Sequence, residues 1–217
     1  LPAYQTACGC VDIMMHTMER YFNQVENMEL TDGFSEHLIR TVMKNAKILK
    51  EDPENYNARA EVMWAGSLAH NGLMGSGTDG GDWASHQLEH ELGGMFDVAH
   101  GAGLAAVWGS WARYVMDARP ERFAQFAQNV MQVEQGEDVA KTAQKGIEAM
   151  EDFYRSIDMP VSIQELGVTL TEEQIKELAD KCSFYEKRTI GCVIISGTNP
   201  HCQIFEEGFR SVVEENG

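Results

Sequence analysis

Hydrophobic residues recur along this chain mainly with the spacing of an α-helix. Between positions 38 and 49, and again between 123 and 130, apolar residues fall every three or four positions. This spacing places apolar side chains on one face of a helix. We therefore expect about eight to ten helices of ordinary length. The only strand-like segment is Thr189–Ser196, and no alternation of strands and helices suggests a parallel sheet. The pattern predicts one all-α domain over residues 1–217.

Capping residues and glycines predict where individual helices begin and end. Capping side chains precede apolar runs at Asp52-Pro53, Asp82, Thr171 with Gln174, and Asn199-Pro200. Gly93-Gly94 is expected to end the helix that Asp82 begins. The segment Gly72–Gly81 (GLMGSGTDGG) is half glycine, so we expect a loop whose backbone packs closely against a neighbour. It is not a phosphate-binding loop, because no Gly-Lys-Ser/Thr follows and no strand precedes it.

The charge balance narrows the classes of partner. The 217 residues include 17 Lys and Arg against 34 Asp and Glu, a formal net charge of −17. Such acidity argues against nucleic acid and anionic membranes as partners. No run approaches the roughly 20 apolar residues that a membrane span needs, and no secretory signal is visible. The chain begins at Leu1 rather than Met, which suggests a piece of a longer protein.

The cysteines indicate a reducing compartment. Their odd number and wide scatter do not form a disulfide framework: Cys8, Cys10, Cys182, Cys192 and Cys202. We therefore expect a cytoplasmic protein. Cys8 and Cys10 could be soft metal ligands beside Asp12, but small buried residues near a helix start are the favoured interpretation.

Two pairs of polar residues stand out as candidate metal ligands. Asp12 and His16 are four positions apart, as are His86 and His90, and residues four apart share one face of a helix. His100 opens the next helical run. A divalent metal needs three or four ligands from different directions, which Asp12, His16, His86 and His100 could supply. The other histidines are taken as structural or surface residues, with His70 the least certain because it adjoins the glycine loop: His37, His70 and His201.

Two other interpretations stay open at this point. The segment His86-Gln-Leu-Glu89-His90 fits the H-x-x-E-H pattern of inverzincin metalloproteases, in which both histidines bind zinc and the glutamate is the general base. That hypothesis leaves Asp12, His16 and His100 without a role. The chain could also be a non-catalytic helical domain that only binds a metal or a partner.

The spacing of these motifs resembles that of iron-containing (group III) alcohol dehydrogenases. Asp12-x-x-x-His16, with Glu19 and Tyr21 after it, resembles the first metal motif of that family. The stretch His86-x-x-x-His90-x-Leu-Gly, with His100-Gly ten residues beyond His90, resembles the second. The lead-in Leu1-Pro-Ala-Tyr-Gln-Thr is also similar, and the resemblance extends to about Val213. It is nearest to the butanol dehydrogenase and aldehyde reductase branch.

The resemblance implies a fold and a set of site residues. The fold would be the helical domain of the dehydroquinate synthase-like type. The metal ligands would be Asp12, His16, His86 and His100, holding Fe(II) or Zn(II), with other divalent metals able to replace them. His90 would stay off the metal, as a proton relay or a contact to the nicotinamide. We expect Trp83 and Phe96 to shape an apolar substrate pocket, and Trp108 and Trp111 to lie in the core.

The resemblance also implies an activity and its partners. Members interconvert small primary alcohols and aldehydes with NAD(P), which an N-terminal Rossmann-like domain mainly binds, and they are commonly homodimers. No strand–GxG–helix unit occurs in residues 1–217. We therefore expect this chain to carry only the metal side of the reaction, and to be inactive by itself.

Overall fold

A computed structural model describes residues 1–78 and 80–190, with side chains as far as Cys182. The described part contains eight α-helices and one 3₁₀ turn, as the all-α prediction requires. The helices are α1 (Ala3–Tyr21), α2 (Glu29–Glu51), α3 (Tyr56–His70), α4 (Ala84–Phe96), α5 (His100–Met116), α6 (Pro120–Asn129), α7 (Val139–Ser156) and α8 (Glu172–Ile190), and the 3₁₀ turn is Leu73–Gly75. None of these described helices is long and apolar enough to cross a membrane.

Helix α1 forms the centre of the main hydrophobic core. It packs against α2, α3 and α5, while α6 and α7 pair with each other and α7 also contacts α5. The methionines Met14, Met15 and Met18 of α1 are fully buried. Trp108 and Trp111 of α5 lie in the same core, as predicted. The buried face of α1 therefore fixes the position of the polar residues that this helix carries.

A buried ion pair joins the end of α1 to α2 and α6. Arg122 donates from Nη2 to Oδ1 of Asp32 over 2.6 Å and from Nε to the carbonyl of Tyr21 over 2.8 Å. Its guanidinium also lies 3.8 Å from the centroid of the Tyr21 ring. Arg122 is 5 % exposed and Asp32 is 8 % exposed. Each buried charge is thus compensated, which is the condition for keeping a charge inside a protein.

A second, smaller core attaches α4 to α5 and α8. It contains Leu88 and Leu92 of α4, Val107 of α5 and Leu178 of α8. Because α4 packs on both neighbouring helices, the face carrying its histidines is fixed relative to α5.

The helix ends confirm some of the capping predictions and correct others. Thr171 and Gln174 form the predicted capping box, since each side chain accepts a hydrogen bond from the backbone N–H of the other. The prediction for Asp52-Pro53 is wrong. Asp52 ends α2, and α3 begins at Tyr56 after Asn55, whose side chain accepts from the N–H of Ala58. Asparagine caps a helix as well as aspartate does, and here it has the favourable position.

The boundaries of α4 also differ from the prediction. Its N-cap residue is Trp83 rather than Asp82, although the Asp82 carboxylate accepts a hydrogen bond from the N–H of Ala84. Gly93-Gly94 does not end the helix, which continues to Phe96 and stops at Asp97 in a left-handed conformation. Of the predicted strand Thr189–Ser196, the first two residues belong to α8. Its other residues, and Asn199-Pro200, lie outside the described residues.

Candidate metal centre

Three helices bring the predicted ligands to one point. Helix α1 carries Asp12 and His16, α4 carries His86, and His100 is the first residue of α5. Oδ1 of Asp12 lies 3.5 Å from Nε2 of His16, 3.4 Å from Nε2 of His86 and 3.5 Å from Nε2 of His100. The structure thus brings together all four side chains, around a single carboxylate oxygen.

Close backbone contacts at two glycines make this convergence possible. A Cβ atom at Gly81 would lie 2.5 Å from the carbonyl oxygen of Glu19, and one at Gly101 would lie 2.1 Å from that of Cys8. Both distances are below any van der Waals contact. Gly81 also has a φ of 87°, which side chains rarely tolerate. The glycine loop therefore packs closely against α1, as predicted. Gly101 allows the same close approach between the start of α5 and α1.

Two buried glutamates hold the outer nitrogens of the imidazoles. Nδ1 of His86 contacts the carboxylate of Glu19, which also accepts a hydrogen bond of 3.0 Å from the N–H of His86. Nδ1 of His100 contacts the carboxylate of Glu89. Glu19 is 1 % exposed and Glu89 is 2 % exposed. A carboxylate on Nδ1 keeps the proton there and leaves Nε2 with its lone pair, as is usual for metal-binding histidines.

The arrangement fits a metal ion better than it fits a hydrogen-bond network. In the described part of the chain, Oδ1 of Asp12 and Nε2 of His86 are buried and have no hydrogen-bond partner of good geometry. Buried polar atoms of this kind are rare unless something else satisfies them. Ligands about 2.1 Å from a tetrahedral ion lie about 3.4 Å from one another. The contacts of 3.4–3.5 Å from Oδ1 of Asp12 to the three Nε2 atoms match that separation. Ligand atoms of Asp12, His86 and His100 all lie within 4.8 Å of one another, whereas His16 falls in a second such group, with Asp12 and His70.

The electrostatics of the centre favour a positive charge among these atoms. Burial raises the pKa of the Asp12 carboxyl, but its interactions with His100 and His86 outweigh burial and hold the pKa well below its usual range. Interactions with Asp12 and Glu89 raise the pKa of His100 to about 10. Burial lowers the pKa of His86, but Asp12 and Glu19 outweigh it and raise this pKa to about 9. The ionised carboxylates thus attract either a proton or a metal ion.

His16 differs from the other two imidazoles. Burial, together with the neighbouring His86, lowers the pKa of His16 to about 4. Its ring also meets the edge of Trp83 at a centroid distance of 5.4 Å. A neutral imidazole is the form that binds metal.

His90 lies beside the centre, and no group of possible ligands in the described part combines it with Asp12. Its ring stacks on His100 at a centroid distance of 5.3 Å and lies 5.8 Å from His86. Its side chain is exposed. A further group of possible ligands combines it with Glu89 and His100, but the Glu89 carboxylate is already engaged with Nδ1 of His100. The position suits a group that meets solvent or a bound molecule.

The structure places some of the other candidate residues at the metal centre and others in the hydrophobic cores. Cys8 and Cys10 are buried free thiols in the main core, and the clusters able to hold a metal in the described part include neither of them. Trp83 lies against His16 and His86, at the centre, whereas Phe96 packs on the smaller core. His70, interpreted as a structural or surface residue, is exposed and lies against His16, with ring centroids 3.9 Å apart.

Neither contact between a glutamate and an imidazole was predicted: Glu19 entered only as part of the first metal motif, and Glu89 only as the general base of the metalloprotease hypothesis. Glu19 and His86 are 67 positions apart. The helical spacing of residues along the sequence cannot predict a contact between positions so far apart. The pairing of Glu89 with His100 spans 11 positions and crosses a helix boundary. The available signal in the sequence was a glutamate within each of the two histidine motifs.

The described helices place one carboxylate oxygen close to three imidazole nitrogens, an arrangement typical of a helical metal-binding domain. The family model for "Fe-containing alcohol dehydrogenase family, C-terminal" matches residues 6–191. This chain belongs to that family.

Curated relatives and solved structures agree with the assignment. The chain is 33% identical over 210 residues to NADH-dependent butanol dehydrogenase A of Clostridium acetobutylicum, covering 96% of this chain and 53% of the relative. It is 33% identical over 168 residues to the NADPH-dependent aldehyde reductase YqhD of Escherichia coli, covering 77% and 42%. The structure of an NADH-dependent butanol dehydrogenase A from Thermotoga maritima superposes with a TM-score of 0.84 at 33% identity, covering 98% of this chain and 53% of that one. The chain thus spans about half the length of these relatives.

Proposed function

We propose that this chain is the metal-binding helical half of an NAD(P)-dependent enzyme that interconverts small primary alcohols and aldehydes. The observation that carries the proposal is the convergence of three imidazole Nε2 atoms on Oδ1 of Asp12, at 3.4–3.5 Å. The names of the similar proteins, NADH-dependent butanol dehydrogenase and NADPH-dependent aldehyde reductase, support the reaction class.

Asp12, His16, His86 and His100 are the proposed ligands of one divalent ion. Three imidazoles and one carboxylate suit Fe(II) or Zn(II). A bound ion would act as a Lewis acid, polarising a carbonyl or lowering the pKa of an alcohol. Glu19 and Glu89 contact Nδ1 of His86 and His100, which would leave Nε2 of each imidazole free to bind the ion.

His90 is the proposed proton carrier at this site. Its imidazole stacks on His100 and is exposed, so it can take a proton from bound substrate and pass it to solvent. General acid–base catalysis of this kind is worth about 10²–10⁴-fold in rate. The same position would let His90 contact the nicotinamide ring. Trp83, whose ring lies 5.4 Å from those of His16 and His86, would form an apolar wall of the substrate pocket.

The nicotinamide cofactor would be held mainly by a separate nucleotide-binding half. The relatives are about twice as long as the part of them that this chain covers. The part of the chain that the structure describes contains no strand and so no strand–GxG–helix unit, and the reaction requires the nicotinamide carbon within roughly 3–3.5 Å of the substrate carbon. We also propose a cytoplasmic enzyme and, for the complete protein, a homodimer.

The geometry weighs against the metallohydrolase hypothesis. In that mechanism the glutamate of His86-x-x-Glu89-His90 must reach a water molecule. Here Glu89 is 2 % exposed and contacts Nδ1 of His100. It therefore serves an imidazole and cannot act as a general base on water.

The proposal is tested by assaying two proteins side by side. The chain of residues 1–217, loaded with Fe(II) or Zn(II), should show no change in nicotinamide absorbance with butanal, because nothing in it fixes the cofactor. The same chain joined to an upstream dinucleotide-binding domain should reduce butanal. Robust turnover by the chain alone would contradict the proposed place of the cofactor. Absence of turnover by the joined protein would contradict the reaction class.

A further inference from the structure

Arg20 continues the face of α1 that carries two of the proposed metal ligands. Asp12, His16 and Arg20 are spaced four positions apart, so their side chains leave the same side of the helix. The Arg20 side chain stays close to His16, because its Nη1 donates to the carbonyl oxygen of His16 over 2.6 Å. A cation thus lies one helical turn beyond a proposed ligand, in a chain with 34 acidic and 17 basic residues.

Contacts with neighbouring elements fix the guanidinium of Arg20. Its Nη1 also donates to the carbonyl oxygen of Ala69 over 3.2 Å. The indole of Trp83 covers the guanidinium, with 4.6 Å between Cζ of Arg20 and the ring centroid. The centroid of the same indole lies 5.4 Å from those of the His16 and His86 rings. The guanidinium and the metal centre therefore border one indole ring.

The edge of the guanidinium formed by Nε and Nη2 is left open. Among the described residues, the hydrogen bonds of Arg20 start from Nη1 alone, and no carboxylate forms an ion pair with it. Gly75 keeps this edge uncovered, since a Cβ there would lie 3.1 Å from Cδ and 3.4 Å from Nε of Arg20. Paired N–H donors of a guanidinium match the two oxygens of a carboxylate. The open edge therefore has the shape that a carboxylate requires.

We propose that Arg20 binds a carboxylate of the substrate, so that the preferred substrates are aldehydes and alcohols with a carboxylate at the far end of the carbon chain. This inference rests on the proposed function and specifies its substrate class. A singly charged carboxylate fits better than a doubly charged phosphate, because one guanidinium must offset the charge within a chain of net charge −17. The carboxylate is unchanged in the reaction: the aldehyde carbon gains the hydride of the nicotinamide and its oxygen gains a proton.

The spacing along α1 sets the length of such a substrate. His16 and Arg20 are four positions apart, which corresponds to about 6 Å along a helix axis. A chain of about four carbons covers that distance, because each C–C bond is about 1.5 Å long. The compound 4-oxobutanoate has an aldehyde and a carboxylate at the two ends of such a chain, and butanal has the same length without the charge. These two aldehydes are therefore a matched pair of probes.

Binding is tested on the 217-residue chain by NMR of the arginine Nε–H groups. The chain is kept free of metal, so that a carboxylate cannot bind to an ion instead. Butanoate should shift the Nε–H signal of Arg20, and 1-butanol at the same concentration should not. Arg20→Lys identifies that signal by its loss, and Arg59→Lys identifies the control, since Nε of Arg59 donates to the carbonyl of Pro53 over 2.9 Å. Equal shifts of both signals, or no shift of the Arg20 signal, would overturn the carboxylate site.

Turnover by the chain joined to a dinucleotide-binding domain supplies a second readout. Arg20→Gln should lower the ratio of kcat/KM for 4-oxobutanoate to kcat/KM for butanal about 10–100-fold, the usual effect of losing a charge-assisted hydrogen bond. Arg20→Lys should recover part of the ratio, and Arg59→Gln should keep it. A merely structural role of Arg20 would lower both values alike, so an unchanged ratio would overturn the inference. Absence of turnover with both aldehydes would instead contradict the proposed function, and the NMR titration would still decide the carboxylate site.

Discussion

The carboxylate of Glu89 contacts Nδ1 of His100 and so fixes the imidazole that begins α5. The contact joins two helices at the metal centre and is closed to solvent, because Glu89 is 2 % exposed. It makes the glutamate of the H-x-x-E-H segment a positioning residue for a ligand on another helix.

We predict that Glu89→Gln weakens metal binding about 10–100-fold, the usual effect of removing a carboxylate behind a metal-binding histidine. The amide preserves the size of the side chain but loses the charge that stabilises the N–H of His100. The measurement is competition for Zn²⁺ with a chelator of known affinity. Glu91→Gln is the control, since Glu91 is on the same helix and pairs with Lys181 at 3.8 Å. Equal affinity in both variants would show that Glu89 does not support the site.

Gly101→Ala should destabilise the fold by at least about 1–3 kcal/mol, the cost of forcing an extra methyl group into a packed region. The new Cβ would lie 2.1 Å from the carbonyl oxygen of Cys8, so α5 must move away from α1 and carry His100 with it. Urea denaturation of the metal-free chain measures the loss. Gly94→Ala is the control, because a Cβ at Gly94 meets nothing within 4 Å. If the two variants unfold alike, the close contact of α5 with α1 is not as described.

Asp32→Ala should lower the free energy of unfolding by about 3–5 kcal/mol, because it leaves the buried guanidinium of Arg122 without its carboxylate. The matched control is Asp152→Ala, whose partner Arg155 lies 3.9 Å away and whose side chain is 81% exposed. An exposed pair of this kind contributes about 0–1 kcal/mol. Denaturation midpoints and slopes of both variants make the comparison. A loss below about 1 kcal/mol for Asp32→Ala would mean that Arg122 gains compensation from water.

His90→Ala, made in the protein that includes a dinucleotide-binding domain, should reduce butanal turnover by about 10²–10⁴-fold without loss of metal. The reason is that His90 stacks on His100 but belongs to no group of possible ligands with Asp12 in the described part of the chain. Turnover and metal content are measured on the same preparation. Loss of the ion along with the activity would make His90 a ligand and revive the hydrolase hypothesis.

Much of this centre could be predicted from sequence because its signals are local. The pairs Asp12/His16 and His86/His90 follow from helical spacing alone, and both pairs lie on helices in the structure, although the ends of α4 differ from the prediction. The role of Glu19 was hidden because its contact with His86 depends on how α4 packs on α1. His70 was judged by its place beside a loop, and only the folded chain shows its ring against His16.

The errors at helix ends have a common physical origin. Asp52 and Asn55 are three positions apart and both are good capping residues. The choice between them depends on where α2 stops, which the packing of α2 on its neighbours decides. Likewise Gly93-Gly94 stays helical because α4 is held by Leu92 in the smaller core, which outweighs the low helix propensity of glycine.

The coordination of a single bound ion tests the central proposal most directly. Crystals of the chain loaded with one equivalent of Zn²⁺ or Fe²⁺, with anomalous diffraction recorded at the metal edge, would locate the ion and its ligands. We predict bonds of about 2.0–2.2 Å from Asp12, His16, His86 and His100, with at least one position left open for substrate. An ion bonded to His90 in place of His100 would contradict the account.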